Sequence, residues 1–310
     1  MSTTTSTTRG RAPYRAREGS GDAGDPPPSG ERARRPTAAQ ARGAWTTYAL
    51  LGLAAIWVLL PLYAIVAVSL QPQDAQVSGL SWPSDPQWGN YAEAFRQGVF
   101  GPLLTNSLKI AVSVALLGTT VSILAGYAFA TMEFRFKKPL FVLLLIGLVL
   151  PFEGMVLPLF YNLRAFGLTN SAWSVVLPEA ALYSSFGIFW MRVAFAAVPS
   201  GILEAARVDG ASTWRILRSI MLPVSLPSIA TLLVLQFLWS WNEFLIALIM
   251  LQDPSSRTAP AGLGAFVGEY SVNIPLLAAG AVIVSTPPVL LYAFMQRFVI
   301  SGLTQGAVKG

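Results

Sequence analysis

Six stretches of this chain run too long without charge to be the helices of a water-soluble core. No charged residue lies between Arg42 and Asp74, and Tyr48 to Leu70 is dense in Leu, Ala, Ile and Val. Ile110 to Met132 is 23 residues free of charge, Ser219 to Asn242 is 24, and Tyr270 to Gln296 is 27. Pro139 to Leu163 holds only Glu153, and Ala165 to Met191 only Glu179. A helix crosses the hydrocarbon core in about 20 residues, and buried helices of soluble proteins rarely exceed about 14 uninterrupted apolar ones. The pattern therefore predicts an all-α polytopic membrane protein with six transmembrane helices, spanning about 48–70, 106–131, 139–161, 173–196, 222–249 and 273–298. Pro61, Gly118, Gly126, Gly147, Pro151, Pro158, Gly280, Pro287 and Pro288 fall inside these spans. Bilayer helices tolerate such residues when neighbours satisfy the freed carbonyls, so bent helices with small residues at their contacts are expected.

Composition narrows the chemistry. Only 12% of residues are charged, against roughly 25% in soluble domains. The chain has no Cys and no His, which excludes thiol nucleophiles, disulfides, Cys/His metal sites and Ser-His catalysis. No catalytic residue and no metal site are expected.

The net charge of +6 is distributed unevenly. Eight arginines fall in residues 1–43, a Thr/Ser-, Pro- and Gly-rich stretch with too little apolar surface to offset its ordering entropy. We read it as a disordered, uncleaved cytoplasmic tail, followed by a six-span domain over 44–310. A signal peptide would place a short apolar stretch and a cleavage site soon after the basic start, and the first apolar stretch here is too long. With the N-terminus inside, 17 of the 21 Lys and Arg fall on the inner side and only Arg96, Lys109, Arg164 and Arg257 outside. The positive-inside rule then sets a multi-pass protein of the cell membrane with both termini cytoplasmic. The tail reads either as a contact to anionic membrane lipid or as a solvated extension. Nucleic acid has no support, because no basic domain interleaved with aromatics follows.

Between the fourth and fifth spans, residues 200–227 break the apolar pattern. Pro199-Ser200 is a helix start, Glu204-Ala205-Ala206 a strong helix former, and Asp209-Gly210 a breaker where Gly allows positive φ. Ala211-Ser212 opens a second helix, with Trp214, Leu217 and Ile220 at three-residue intervals, ending at Leu222-Pro223. A helix–turn–helix with an apolar ridge, projecting into the cytoplasm, suits docking into a groove on a soluble partner.

This stretch resembles the EAA loop of permease subunits of ATP-binding-cassette importers, whose pattern is E-A-A-x-x-D-G-A, an aromatic, then I-x-L-P-x-x-x-P. Every element matches except the aromatic, where Leu217 stands, with Trp214 near enough to supply the bulk. Trp241-Asn242-Glu243-Phe244 is similar to the W-N-E-F of the carbohydrate branch, and Gly302 to Gly310 to the tail of the maltose-type second half-permease. Residues 1–43 have no counterpart.

The resemblance implies half of a translocation pathway for a sugar, and it implies no enzyme. ATP and Mg would bind two separate ATPase subunits, and this chain would bind no cofactor. A second permease subunit in a heterodimer and an extracytoplasmic solute-binding protein would complete the importer. In the EAA loop, Glu204 would contribute charge or a hydrogen bond at the docking cleft. Asp209 would cap the second helix and Gly210 supply the turn, while Ala205, Ala206 and Ala211 permit close approach. A passive linker is the bland alternative, and it has no need of an apolar ridge.

Ionisable groups within spans are costly and usually face a bundle interior or wet cavity. Asn242, Glu243 and Glu153, with Tyr161 and Trp239 for stacking, are therefore candidates for a sugar path. Helix–helix hydrogen bonding stands beside that reading for Glu243, and the aromatics read equally as packing. Glu179, after Pro178, reads as an interhelix contact or a solvated interface position. An ion-driven secondary carrier leaves the cytoplasmic helix–turn–helix unexplained. An intramembrane enzyme lacks H-E-x-x-H, G-x-S-x-G and every His and Cys.

Overall fold

In the computed structural model, residues 38–74, 79–149, 151–268 and 271–307 are described. The chain separates into two units, Met1–Ile56 and Trp57–Gly310. Of the expected tail, residues 1–37 lie outside the described residues, whereas 38–43 already belong to a helix, α1 (Ala38–Ser69). Ala38, Ala39, Gln40 and Ala41 are good helix formers, so the helix starts before the apolar stretch does.

Almost everything else described is helical. The elements are α2 (Gly89–Gln97), α3 (Phe100–Thr131), α4 (Lys137–Gly147), a 3₁₀ turn (Phe152–Met155), α5 (Val156–Ala165), α6 (Trp173–Ala196) and α7 (Ser200–Val208). After α8 (Thr213–Ile216) comes a π turn (Leu217–Met221), then α9 (Leu222–Val224), α10 (Leu226–Asn242) and α11 (Leu245–Met250). A 3₁₀ turn (Pro254–Ser256), α12 (Ala259–Gly262), another 3₁₀ turn (Leu263–Phe266) and α13 (Ile274–Ala307) complete it.

Among the described residues, three helical stretches are long and apolar enough to cross a bilayer alone: Thr47–Ser69, Phe100–Thr131 and Ile274–Phe298. Three bent pairs reach that standard together, at 91° (α4 with 152–165), 76° (α6 with α7) and 79° (213–224 with α10), giving up to six spans. Two expected spans are therefore not straight. That over 139–161 turns sharply between α4 and the following 3₁₀ turn, where Pro151 has no N–H to give to a continuing helix. That over 222–249 changes direction at Ser225, before Pro227 opens α10, and stops at Asn242.

The described core is a close junction of α3, α6 and α10. Gly118 and Gly126 on α3 and Gly187 on α6 leave no room for a Cβ: Gly126 lies against the backbone of Met191 and Arg192 on α6, whereas Gly118 and Gly187 make room for the side chains of Gln236 and Ser122. The buried Gln236 of α10 accepts a hydrogen bond from Thr119 Oγ1 at 3.2 Å inside this junction. Trp241 Nε1 donates to Val284 O at 3.1 Å and Trp190 Nε1 to Ser228 O at 2.9 Å, pinning α10 to α13 and to α6. A second apolar cluster seats Phe100, Leu103 and Ala94 against Ala259, Phe266, Leu276 and Ala279.

Candidate functional site

The segment between α6 and α10 carries two short helical arms, each bent nearly perpendicular to the span it joins. α7 leaves α6 after Pro199, whose ψ of 130° forces an extended step. It ends where Asp209 N donates to Ala205 O (3.0 Å), Gly210 N to Arg207 O (3.0 Å) and Ala211 N to Ala206 O (2.9 Å). Gly210 has φ +75°, the left-handed conformation that closes a helix and that other residues adopt at a cost. Ser212 is extended, and its hydroxyl accepts from Arg215 N at 3.3 Å, so it opens α8. The second helix is thus capped by Ser212, and Asp209 instead closes the first. Two residues separate Asp209 from that cap position.

The expected ridge is also divided. Leu217 is only 3% exposed and Trp214 61%. Leu217, Ile216 and Met221 pack with Tyr127 of α3, Met191 and Phe195 of α6 and Leu232 of α10. Ile220 and Leu222 are half-buried, and Pro223 is exposed. A π turn over 217–221 widens the helix, so its inward positions no longer follow the three-to-four spacing read from the sequence.

On α7, Leu203 and Ala206 face the same cluster, and Ala211 joins it from the turn. Tyr127 Oη donates to Thr213 O at 3.3 Å, tying the second arm to α3. Turned outward are Glu204 and Ala205, with Ile202 and Val208, the last 88% exposed. Ile202 and Val208 were not singled out in the sequence, although their spacing from Ala205 marks them as one stripe. Outward, then, the loop presents Ile202, Ala205, Val208 and Trp214 beside Glu204, Arg207 and Arg215. Inward, it is bolted to three spans.

The candidates for a substrate path do not form one group. Glu153 lies exposed in the 3₁₀ turn after the α4 bend, and Tyr161 is exposed on α5. No hydrogen bond or ring contact joins either of them to Asn242, Glu243 or Trp239 among the described residues. Asn242 donates back to Leu238 O at 2.7 Å. Glu243 is extended and accepts from Ile246 N at 2.9 Å, so it caps α11 across the break in the fifth span. Trp239 sits in an aromatic cluster with Tyr183 at 5.5 Å and Phe186 at 5.1 Å. Glu179 is fully buried, which removes the solvated reading and leaves the interhelix one, although neither carboxyl oxygen has a hydrogen-bond partner among the described residues. The buried hydroxyl of Ser240, also without a partner, and Glu243 are its polar neighbours.

Known proteins share this architecture. Residues 118–305 match the family model for the inner membrane component of binding-protein-dependent transport systems. The arabinooligosaccharides transport system permease protein AraQ of Halalkalibacterium halodurans is 34% identical over 255 residues, covering 81% of this chain and 91% of that protein. The trehalose transport system permease protein SugB of Mycobacterium tuberculosis is 31% identical over 256 residues, covering 82% of this chain and 93% of that one. A crystal structure of a bacterial ABC transporter involved in import of the acidic polysaccharide alginate has the same fold, with a TM-score of 0.70 at 21% identity. It covers 84% of this chain and 98% of its own. The chain therefore belongs to the family of inner membrane components of binding-protein-dependent transport systems and is a membrane-embedded ABC-transporter permease.

Proposed function

We propose that this permease forms half of the translocation path of a sugar importer and receives the work of ATP hydrolysis through α7 and α8. The observation that carries the coupling role is the two-faced loop. Its outer face offers an apolar stripe and charge to a soluble partner, while its inner face packs on α3, α6 and α10 at once. A push on Val208 or Trp214 is transmitted to three spans because close-packed interiors pass displacement on rather than absorb it. ATP and Mg belong to two ATPase subunits docked on this side, which is the cytoplasmic side by the distribution of Lys and Arg. A second permease completes the path, and an extracytoplasmic solute-binding protein delivers the cargo, the latter supported by the family's description as binding-protein-dependent transport. The sugar class is supported by the relatives named for arabinooligosaccharides and trehalose.

The reconstituted importer tests this. Gly210→Val places a β-branched residue at φ +75°, a strain of about 1–2 kcal/mol or more, and Glu204→Lys reverses the charge on the outer face. Both variants are expected to insert normally and to lose ATP-driven sugar uptake by tenfold or more. Undiminished uptake in either one would sink the coupling role.

A further inference from the structure

The end of the bundle that carries α7 also holds a concave site. A cavity of about 770 Å³ opens between the 132–136 loop, the start of α4 and the last turns of α6. Its wall carries three cations, Lys137, Lys138 and Arg192, against one carboxylate, Glu133. Glu133 is already engaged: it accepts from Lys137 Nζ at 2.9 Å, which holds its carboxyl below the ordinary carboxylate range, and Lys137 also donates to Met132 O at 2.8 Å. That pair fastens the loop. Lys138 and Arg192 form no salt bridge or hydrogen bond among the described residues.

Arg192 is nonetheless held in place. Its guanidinium lies over the Phe141 ring, 4.1 Å from the centroid. Stacking fixes the plane of the fork and leaves its N–H edges free, the geometry that grips a phosphate through two parallel hydrogen bonds. α4 points its N-terminus at the same cavity, and no side chain caps it, so its dipole adds to the positive field. The rest of the wall is Phe129, Phe134, Phe136, Pro139 and Val142. It runs on into the exposed apolar face of α4, where Leu140, Val142 and Leu143 are uncovered. A soluble anion has no use for that face, whereas an acyl chain does.

We propose that this cavity binds the phosphodiester headgroup of an anionic membrane lipid, with Arg192 and Lys138 on the phosphate and the acyl chains along α4. The site lies a few residues before α7 on the same chain, so a bound lipid steadies the root of the coupling arm. The inference goes beyond transport itself and depends only on the chain being embedded in a membrane.

Native mass spectrometry of the purified complete importer, titrated with dioleoyl phosphatidylglycerol or dioleoyl phosphatidylcholine, tests it. The wild type is expected to retain phosphatidylglycerol in preference to phosphatidylcholine. R192Q/K138Q is expected to bind phosphatidylglycerol about tenfold or more weakly, since two charge-assisted contacts are lost, with phosphatidylcholine unchanged. Phe141→Leu keeps every charge but frees the guanidinium and is expected to fall between the two. The exposed single variant K138Q gives a reading even where the double variant does not assemble, and its phosphatidylglycerol retention is expected to drop. Equal phosphatidylglycerol retention in wild type and K138Q overturns the proposal, as does absence of headgroup preference. Displacement of the lipid by millimolar inorganic phosphate overturns the lipid assignment in favour of a soluble anion.

Discussion

Gly187 has no room for one added carbon. A Cβ there would stand 2.0 Å from Ser122 Oγ, 2.8 Å from Ser122 Cβ and 2.9 Å from Gln236 Nε2. One at Gly118 would meet Gln236 Oε1 at 2.6 Å. The Gln236 amide thus lies between two glycines of different helices, and the Ser122 hydroxyl is turned back to Gly118 O. Gly187→Ala is expected to cost about 1–3 kcal/mol, the usual range for overpacking, read as a lower thermal midpoint of the purified complex. Ser122→Gly removes two of the three offending atoms, so G187A/S122G is expected to melt closer to the wild type than G187A does. A G187A complex that melts with the wild type would show that α3 and α6 are free to part. Small residues at helix contacts were legible in the sequence as a class, yet Gly187 and Gln236 were not legible as a pair. Their meeting depends on how three helices rotate about their axes, which no local spacing encodes. Glu179 shows the same limit: its place after Pro178 suggests an interface, while its burial comes with Ser240 of the neighbouring α10 and Tyr183 one turn further along α6 itself.

Among the elements, the two arms of the loop between α6 and α10 were the most legible and the spans around them the least straight. The break at Asp209-Gly210 and the restart at Ser212 follow from local backbone chemistry, so they could be read directly. Ser212 rather than Asp209 as the cap, and the π turn after Ile216, follow from the register that seats Ile216, Leu217 and Met221 in the cluster. Ser212→Ala is expected to destabilise α8 by about 1 kcal/mol, the usual worth of an N-cap, whereas Asp209→Ala leaves it unchanged. Amide hydrogen exchange over 213–217 in the assembled importer separates them: about fivefold faster exchange in S212A alone is expected. Faster exchange in D209A instead would restore Asp209 as the cap. The bends after Gly147 and at Ser225 had their prolines in view, but a proline marks where a span is able to turn and not by how much. The 91° and 79° angles come from what the two halves pack against.

At the scale of the whole molecule, the coupling role proposed for the loop between α6 and α10 asks two jobs of it that a single ridge could not do. A residue that grips a moving partner has to be exposed, and one that passes the motion inward has to be buried. Two side chains three positions apart suit these jobs, Trp214 being exposed and Leu217 buried in the cluster shared by α3, α6 and α10. The two truncations therefore separate in their readouts. Trp214→Ala should leave the thermal midpoint of the permease nearly unchanged, since surface substitutions away from special features stay within about 0.5 kcal/mol. It should weaken recruitment of the ATPase subunits by about 30-fold, the effect of losing a tryptophan anchor worth about 2 kcal/mol. Leu217→Ala should do the reverse, costing about 2–5 kcal/mol of stability through the cavity it leaves. The ATPase should still bind there, with its hydrolysis no longer tied to uptake. Measuring midpoint, ATPase pull-down and transport on both variants decides the matter. If both lose binding and neither loses stability, the ridge is a single outward surface and the path into the spans lies elsewhere.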